Sequence, residues 1–204
     1  MSDLLCVTNR HLCRGDFFAR LESLCQCAPA GILLREKDLS PEAYAPLAKR
    51  ALSLCKAYGV LCILHTHTEA ACALHASAFH APLPVLRQLT AAQKAAFSTL
   101  GASCHSVADA REAQQLGCTY LTAGHIFDTD CKQGLPGRGL PFLAEVCRSV
   151  PLPVYAIGGI APENIGAVRA AGAAGGCVMS GCMTCNNCNA YFSHFEKAGI
   201  PHEI

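Results

Sequence analysis

Short, unbroken apolar runs alternate along this chain with longer stretches in which apolar positions recur every three or four residues. The runs cover 4–7, 31–34, 61–64, 78–83, 102–104, 120–123, 154–157 and 176–179, with the fourth the weakest. An apolar run of this length that does not alternate with polar residues predicts a strand buried on both faces, as in a parallel sheet. The stretches between the runs read as helices with defined ends. In "LSPEAYAPLAKRALSLCKAYG", Ser40 is the N-cap, Pro41 the first helical residue, Glu42 sits in the first turn and Gly59 follows the last. In "HSVADAREAQQLG", Ser106 caps a helix with Val107, Ala110, Ala113 and Leu116 on one face. "APENIGAVRAAG" reads as a helix from Pro162 to Gly172, and a short one is expected around 70–77.

Eight such strand–helix units in 204 residues predict a single α/β domain over 1–204, a (β/α)8 TIM barrel. An open doubly wound sheet is the alternative. It is weakened because no G-x-G-x-x-G follows the first strand. There is no internal repeat, low-complexity tract or linker.

A net charge of +1 with 15% charged residues lacks the basic excess of a nucleic-acid binder. No run approaches the roughly 18 apolar residues of a membrane helix, and "MSDLLCVTNRH" has no basic segment leading into an apolar core. A cytoplasmic protein is expected. The 15 cysteines lie largely inside apolar runs, where they act as small hydrophobes. Cys182, Cys185 and Cys188 form C-x-x-C-x-x-C, but no fourth cysteine at cluster spacing and no histidine stand beside them, so no metal is assigned.

The polar residues gather at the expected C-terminal ends of the strands, where barrels place function. Strand two is followed by Arg35, Glu36, Lys37 and Asp38, strand three by His65 and His67, and strand five by His105 and Ser106. Strand six leads into "GHIFDTDCKQGLPGRG". Strands seven and eight end on Gly158–Gly159 and Ser180–Gly181, where barrels often bind phosphate through backbone N–H groups. Arg35, Lys37 and Lys132 supply charge for a second anionic group. His125, one residue beyond strand six, is placed for proton transfer near neutral pH. Zinc on the scattered histidines lacks a close ligand motif.

Taken in order, "LREKD", "ASCHS", "GHIFDTDCKQGLPGRG", "AIGGIAPENI" and "CVMSGCM" resemble the thiamine-phosphate synthase/TenI superfamily over nearly the whole chain. The resemblance implies a (β/α)8 fold and a role in thiamin biosynthesis or salvage. Synthases of this group join a pyrimidine pyrophosphate to a thiazole phosphate with Mg²⁺. TenI-type tautomerases shift a double bond in a carboxylated thiazole phosphate without a metal or other cofactor. The synthase pattern carries Asn-Asp after strand three, where this chain has His65–Thr66. It carries a further Asp after strand four, where "FHAPLPVLRQL" has His80 and no acid. The strand-six loop, with its "TDCK" and "GRG", is similar to the TenI form. The resemblance therefore implies a thiazole tautomerase with His125 as acid and base and Gly158, Gly159 and Gly181 at the substrate phosphate. Arg35, Lys37, His105 and Lys132 are further substrate contacts. A synthase and a non-catalytic binding barrel stay open as alternatives, as does self-association into a homo-oligomer.

Overall fold

Successive residues of each strand enter two different cores. In β1 (Leu4–Val7), Leu5 and Val7 meet Leu33, Ile63 and Cys177, whereas Leu4 and Cys6 pack with helix residues such as Leu21 and Leu24. Both faces of the strand are therefore dry. This is the physical cause of the unbroken apolar runs.

The computed structural model describes residues 2–129 and 134–198. The remaining strands are β2 (Gly31–Leu34), β3 (Cys62–His65), β4 (Ala78–Pro82), β5 (Thr99–Cys104), β6 (Tyr120–Gly124), β7 (Val154–Ile157) and β8 (Gly175–Val178). All neighbouring pairs are parallel, and β8 closes on β1 with Leu5 opposite Cys177, giving a closed eight-stranded barrel. The predicted (β/α)8 architecture is the observed one.

The helices form the outer layer. They are α1 (Phe17–Gln26), α2 (Pro41–Ala57), α3 (Thr68–Ala73), α4 (Leu83–Gln88), α5 (Ala91–Ala96), α6 (Val107–Gln115), α7 (Gly139–Ser149), α8 (Ile165–Ala170), α9 (Ser180–Thr184) and α10 (Cys188–Lys197). The side chains of Ser40 and Ser106 accept from Ala43 N and Asp109 N, so both predicted caps are real. Tyr44 of α2, fully buried, donates its hydroxyl to the Leu34 carbonyl and accepts from His65 N, tying the helix to the ends of β2 and β3.

Several boundaries differ from the sequence reading. β3 runs one residue further, so His65 is its last residue rather than a loop residue. β4 stops at Pro82, and Leu83 opens the first of two short helices where one was expected. α8 starts at Ile165, not at Pro162. The Asn164 side chain accepts from Ala161 N and donates to the Gly159 carbonyl, so these residues fold into a turn fastened to the end of β7. No helix among the described residues is long and apolar enough to cross a membrane.

Candidate active site

The C-terminal mouth of the barrel holds a cavity of about 370 Å³. Arg35, Lys37, His105, His125, Gly158, Gly159, Ser180 and Gly181 all line it, so every described site residue expected from the sequence converges on one place. Lys132, with Asp130 and Cys131, lies outside the described residues.

The four residues after β2 divide by alternation. Arg35 and Lys37 line the cavity. Glu36, 2% exposed, turns instead toward the β1 loop. It accepts from the Thr8 hydroxyl at 2.6 Å, from Arg10 N at 3.0 Å and from Arg10 Nη1 at 3.2 Å. Asp38 pairs with the same Arg10 and with His11, and Arg10 holds its carboxyl well below the ordinary carboxylate range. Glu36 and Asp38 are thus engaged by Arg10 away from the cavity, which Arg35 and Lys37 line.

His125 is held from three sides. Its Nε2 lies 3.1 Å from the Leu135 carbonyl, which can only accept, so Nε2 carries the hydrogen and Nδ1 is the basic atom of the neutral ring. Its own carbonyl accepts from Arg138 N at 2.9 Å. Its Cα and Cβ press on Gly158. His105 acts just behind it, because His105 Nδ1 donates to the Gly124 carbonyl at 2.8 Å. Asp128 accepts from Gly137 N at 2.7 Å and so closes the base of the strand-six loop. Gly137 has no room for a side chain, since a Cβ there would stand 2.5 Å from the Ile126 carbonyl.

The cavity floor is built around His80, a histidine noted near the end of strand four, and adds Ser103, Tyr120 and Thr122, which the sequence did not single out. His80, 1% exposed, bridges Tyr120 Oη at 2.9 Å and Ser103 Oγ at 2.9 Å, and Thr122 Oγ1 donates to Ser103 at 3.5 Å. Tyr120 is buried, and its hydroxyl hydrogen finds its acceptor only if it donates to His80 Nδ1. A buried donor left unmade costs about 1–3 kcal/mol. His80 Nε2–H then donates to Ser103, which leaves the Ser103 hydroxyl hydrogen for the cavity. Burial pushes the pKa of His80 down to about 3. It pushes that of His65 down to about 2, with help from His80, Arg35 and Lys37. Both rings are therefore neutral at physiological pH. His67 stacks on Tyr44 with ring centroids 4.0 Å apart, outside the cavity. The one sequence signal for this floor was a histidine inside the apolar fourth run.

No Asp or Glu is among the described residues lining the cavity, and no group of three or more His, Cys, Asp or Glu among the described residues could hold a metal ion. Mg²⁺ takes oxygen ligands, chiefly carboxylates, together with substrate phosphates. The described lining offers imidazoles, cations and a few hydroxyls but no carboxylate, and so lacks the chief ligand type that Mg²⁺ needs.

Fold and cavity together place the molecule among (β/α)8 barrels whose mouth, among the described residues, is lined by Arg35 and Lys37 and by no carboxylate. The chain belongs to the thiamine monophosphate synthase (TMP-TENI) family, whose model matches residues 4–182. It is similar to thiamine-phosphate synthase 2 of Streptococcus pneumoniae, at 32% identity over 95% of this chain and 93% of the relative. The thiamine-phosphate synthase of Fusobacterium nucleatum is 30% identical, with 94% of each chain covered. Among solved structures, thiamine phosphate pyrophosphorylase from Pyrococcus furiosus superposes with a TM-score of 0.80 at 25% identity, covering 96% of this chain and 94% of that one.

Proposed function

We propose that this protein is a thiazole tautomerase of thiamin biosynthesis. Its substrate would be a non-aromatic 2-carboxythiazole phosphate, which it converts to the aromatic carboxylate. The observation that carries the reading is a cavity with two cations, a positioned histidine and no described carboxylate. A doubly anionic substrate fits that lining, and a Mg²⁺-pyrophosphate does not.

In this reading the loops at Gly158–Gly159 and Ser180–Gly181 bind the phosphate. Arg35 and Lys37 neutralise the carboxylate and stabilise the carbanion that forms beside it. His125 Nδ1 removes the ring proton next to the carboxylate, and the same imidazolium returns a proton to the exocyclic carbon. The double bond moves into the ring, which becomes aromatic, with no net change in protons or electrons. The Ser103 hydroxyl donates to a ring acceptor from below.

The test is tautomerisation in deuterated water, followed by NMR. Wild type should yield the aromatic product with deuterium on the exocyclic carbon that receives the proton. His125→Ala should bind a thiazole phosphate normally and lose about 10²–10⁴-fold in rate, the usual range for one general acid–base group. Full activity of that variant would remove His125 from the role.

A second reading, a transfer that joins a pyrimidine pyrophosphate to a thiazole phosphate through a new carbon–nitrogen bond with loss of pyrophosphate, is favoured by the names of the relatives. Incubation with both precursors and Mg²⁺ distinguishes the two. Turnover to thiamin phosphate would support the transferase and overturn the tautomerase assignment if the tautomer is left untouched.

A further inference from the structure

On the flank of the barrel, α9 ends and α10 begins across a Cys185-Asn186-Asn187-Cys188 turn. The two sulfurs are 3.7 Å apart. Arg20 of α1 reaches both, with Nη1 at 3.3 Å from Cys185 Sγ and 3.0 Å from Cys188 Sγ, while its Nη2 donates to the Cys185 carbonyl at 2.6 Å. A guanidinium in contact with two sulfurs is a ready counter-ion for a thiolate formed at either one during exchange. It also repels a metal cation from the same place, which separates this pair from a metal site.

Access distinguishes the pair further. Cys188 is 5% exposed, and it lines a surface depression of about 380 Å³ shared with Arg14, Arg20 and Asn187, and with Asp16, whose carboxylate is engaged in capping α1. Cys25 and Cys55 lie equally close, at 3.8 Å, yet they are 2% and 0% exposed and line no depression described on this surface. Proximity alone is therefore common in this cysteine-rich chain. The Cys185–Cys188 pair combines it with a cationic partner and an opening.

We propose that Cys188 and Cys185 form a thiol–disulfide exchange site for a small disulfide that carries carboxylates. The Cys188 thiolate attacks one sulfur of the external disulfide. A protein–ligand S–S bond forms, and the other half leaves as a thiolate that takes up the proton Cys188 released. Cys185, deprotonated in turn, attacks Cys188 Sγ. The mixed bond breaks, and the second half leaves as a thiol. Two protein thiols are oxidised to one disulfide, and the external disulfide is reduced to two thiols. Arg14 and Arg20 receive the carboxylates at the depression. Burial and the neighbouring Cys188 push the Cys185 thiol up to about 11, which fits its placement as the second, slower thiol.

The site is tested on the intact wild-type chain with glutathione disulfide, followed by acid quenching, alkylation and peptide mapping. A Cys185–Cys188 disulfide should form first, while Cys25 and Cys55 are recovered as alkylated thiols. Cys185→Ser should stop at a glutathione adduct on Cys188, and Cys188→Ser should give no adduct at Cys185. The cationic disulfide cystamine should react on the order of tenfold more slowly than glutathione disulfide. Recovery of Cys188 as a thiol for as long as Cys25, or first adduct formation at any other cysteine, would overturn the assignment. Equal rates with the two reagents would remove the role given to Arg14 and Arg20.

Discussion

His125 occupies the space that a side chain on Gly158 would need: a Cβ built there falls 2.3 Å from His125 Cβ and 2.8 Å from its Cα. Gly158 also has φ +97°, a conformation that residues with a Cβ rarely adopt. The glycine read from the sequence as a phosphate ligand thus has a packing role in the structure. It allows the end of β7 to lie against the backbone that carries the candidate base. Gly158→Ala should therefore lower kcat in the tautomerisation assay more than it raises KM, and cost about 1–3 kcal/mol of stability through backbone strain alone. Thermal melts and steady-state kinetics on the same sample check both. A variant with raised KM and unchanged kcat would return Gly158 to a purely ligand-binding role.

His105 is a positioning residue in this arrangement, because it holds the Gly124 carbonyl and so fixes the chain entering His125. His105→Phe removes that donor, and a typical hydrogen bond of this kind contributes about 0.5–1.5 kcal/mol. A three- to tenfold fall in kcat, about that energy converted to rate, is expected with KM little changed. A merely structural role would lower the melting temperature and leave the kcat of the folded protein where it was.

Glu36 should be among the least replaceable residues near the cavity. Glu36→Ala would leave the Thr8 hydroxyl and the Arg10 amide without their shared acceptor. Each buried donor left unmade costs about 1–3 kcal/mol. Denaturant unfolding should show a loss of about 2–4 kcal/mol for Glu36→Ala. The exposed Asp38, on the other side of Arg10, should tolerate Ala with a far smaller effect.

Acid should destabilise the fold through His65 and His80. In the unfolded chain both would titrate near pH 6.5. In the folded protein they stay neutral down to about 2 and about 3 respectively. Between these limits the unfolded state binds more protons, so stability falls as pH drops below about 6.5, by up to about 1.4 kcal/mol per pH unit for each ring. Melting temperatures measured from pH 7.5 to 5 should fall ever more steeply, and His65→Gln should flatten the slope. An unchanged slope in that variant would assign the acid sensitivity elsewhere.

The barrel was legible because burial on both faces leaves a strong trace. Every strand was found within a few residues from runs such as 4–7 and 154–157, and Ser40 and Ser106 announced their helices by capping chemistry. Boundaries slipped where a polar residue ends a strand. His65 looks like loop in a sequence, yet its amide is fixed by Tyr44 in the last rung of β3. The cavity rim was legible because polar residues after strands have few other uses. The floor was not. His80, Ser103, Tyr120 and Thr122 lie inside apolar runs, and nothing in their spacing reveals that they share hydrogen bonds across three strands. The pairing of Cys185 with Arg20 was equally hidden, because 165 residues separate them in the chain.

The split of "REKD" by alternation has a kinetic consequence. The chain as a whole is nearly neutral, with a net charge of +1. Its described mouth is lined by Arg35 and Lys37 and by no acid, because the adjoining Glu36 and Asp38 are engaged by Arg10. A ligand bearing several negative charges therefore meets a local funnel rather than a basic protein, and its capture should weaken as ions screen that funnel over a Debye length of about 8 Å at physiological ionic strength. Escape, set by contacts already made inside the barrel, should respond much less to added salt.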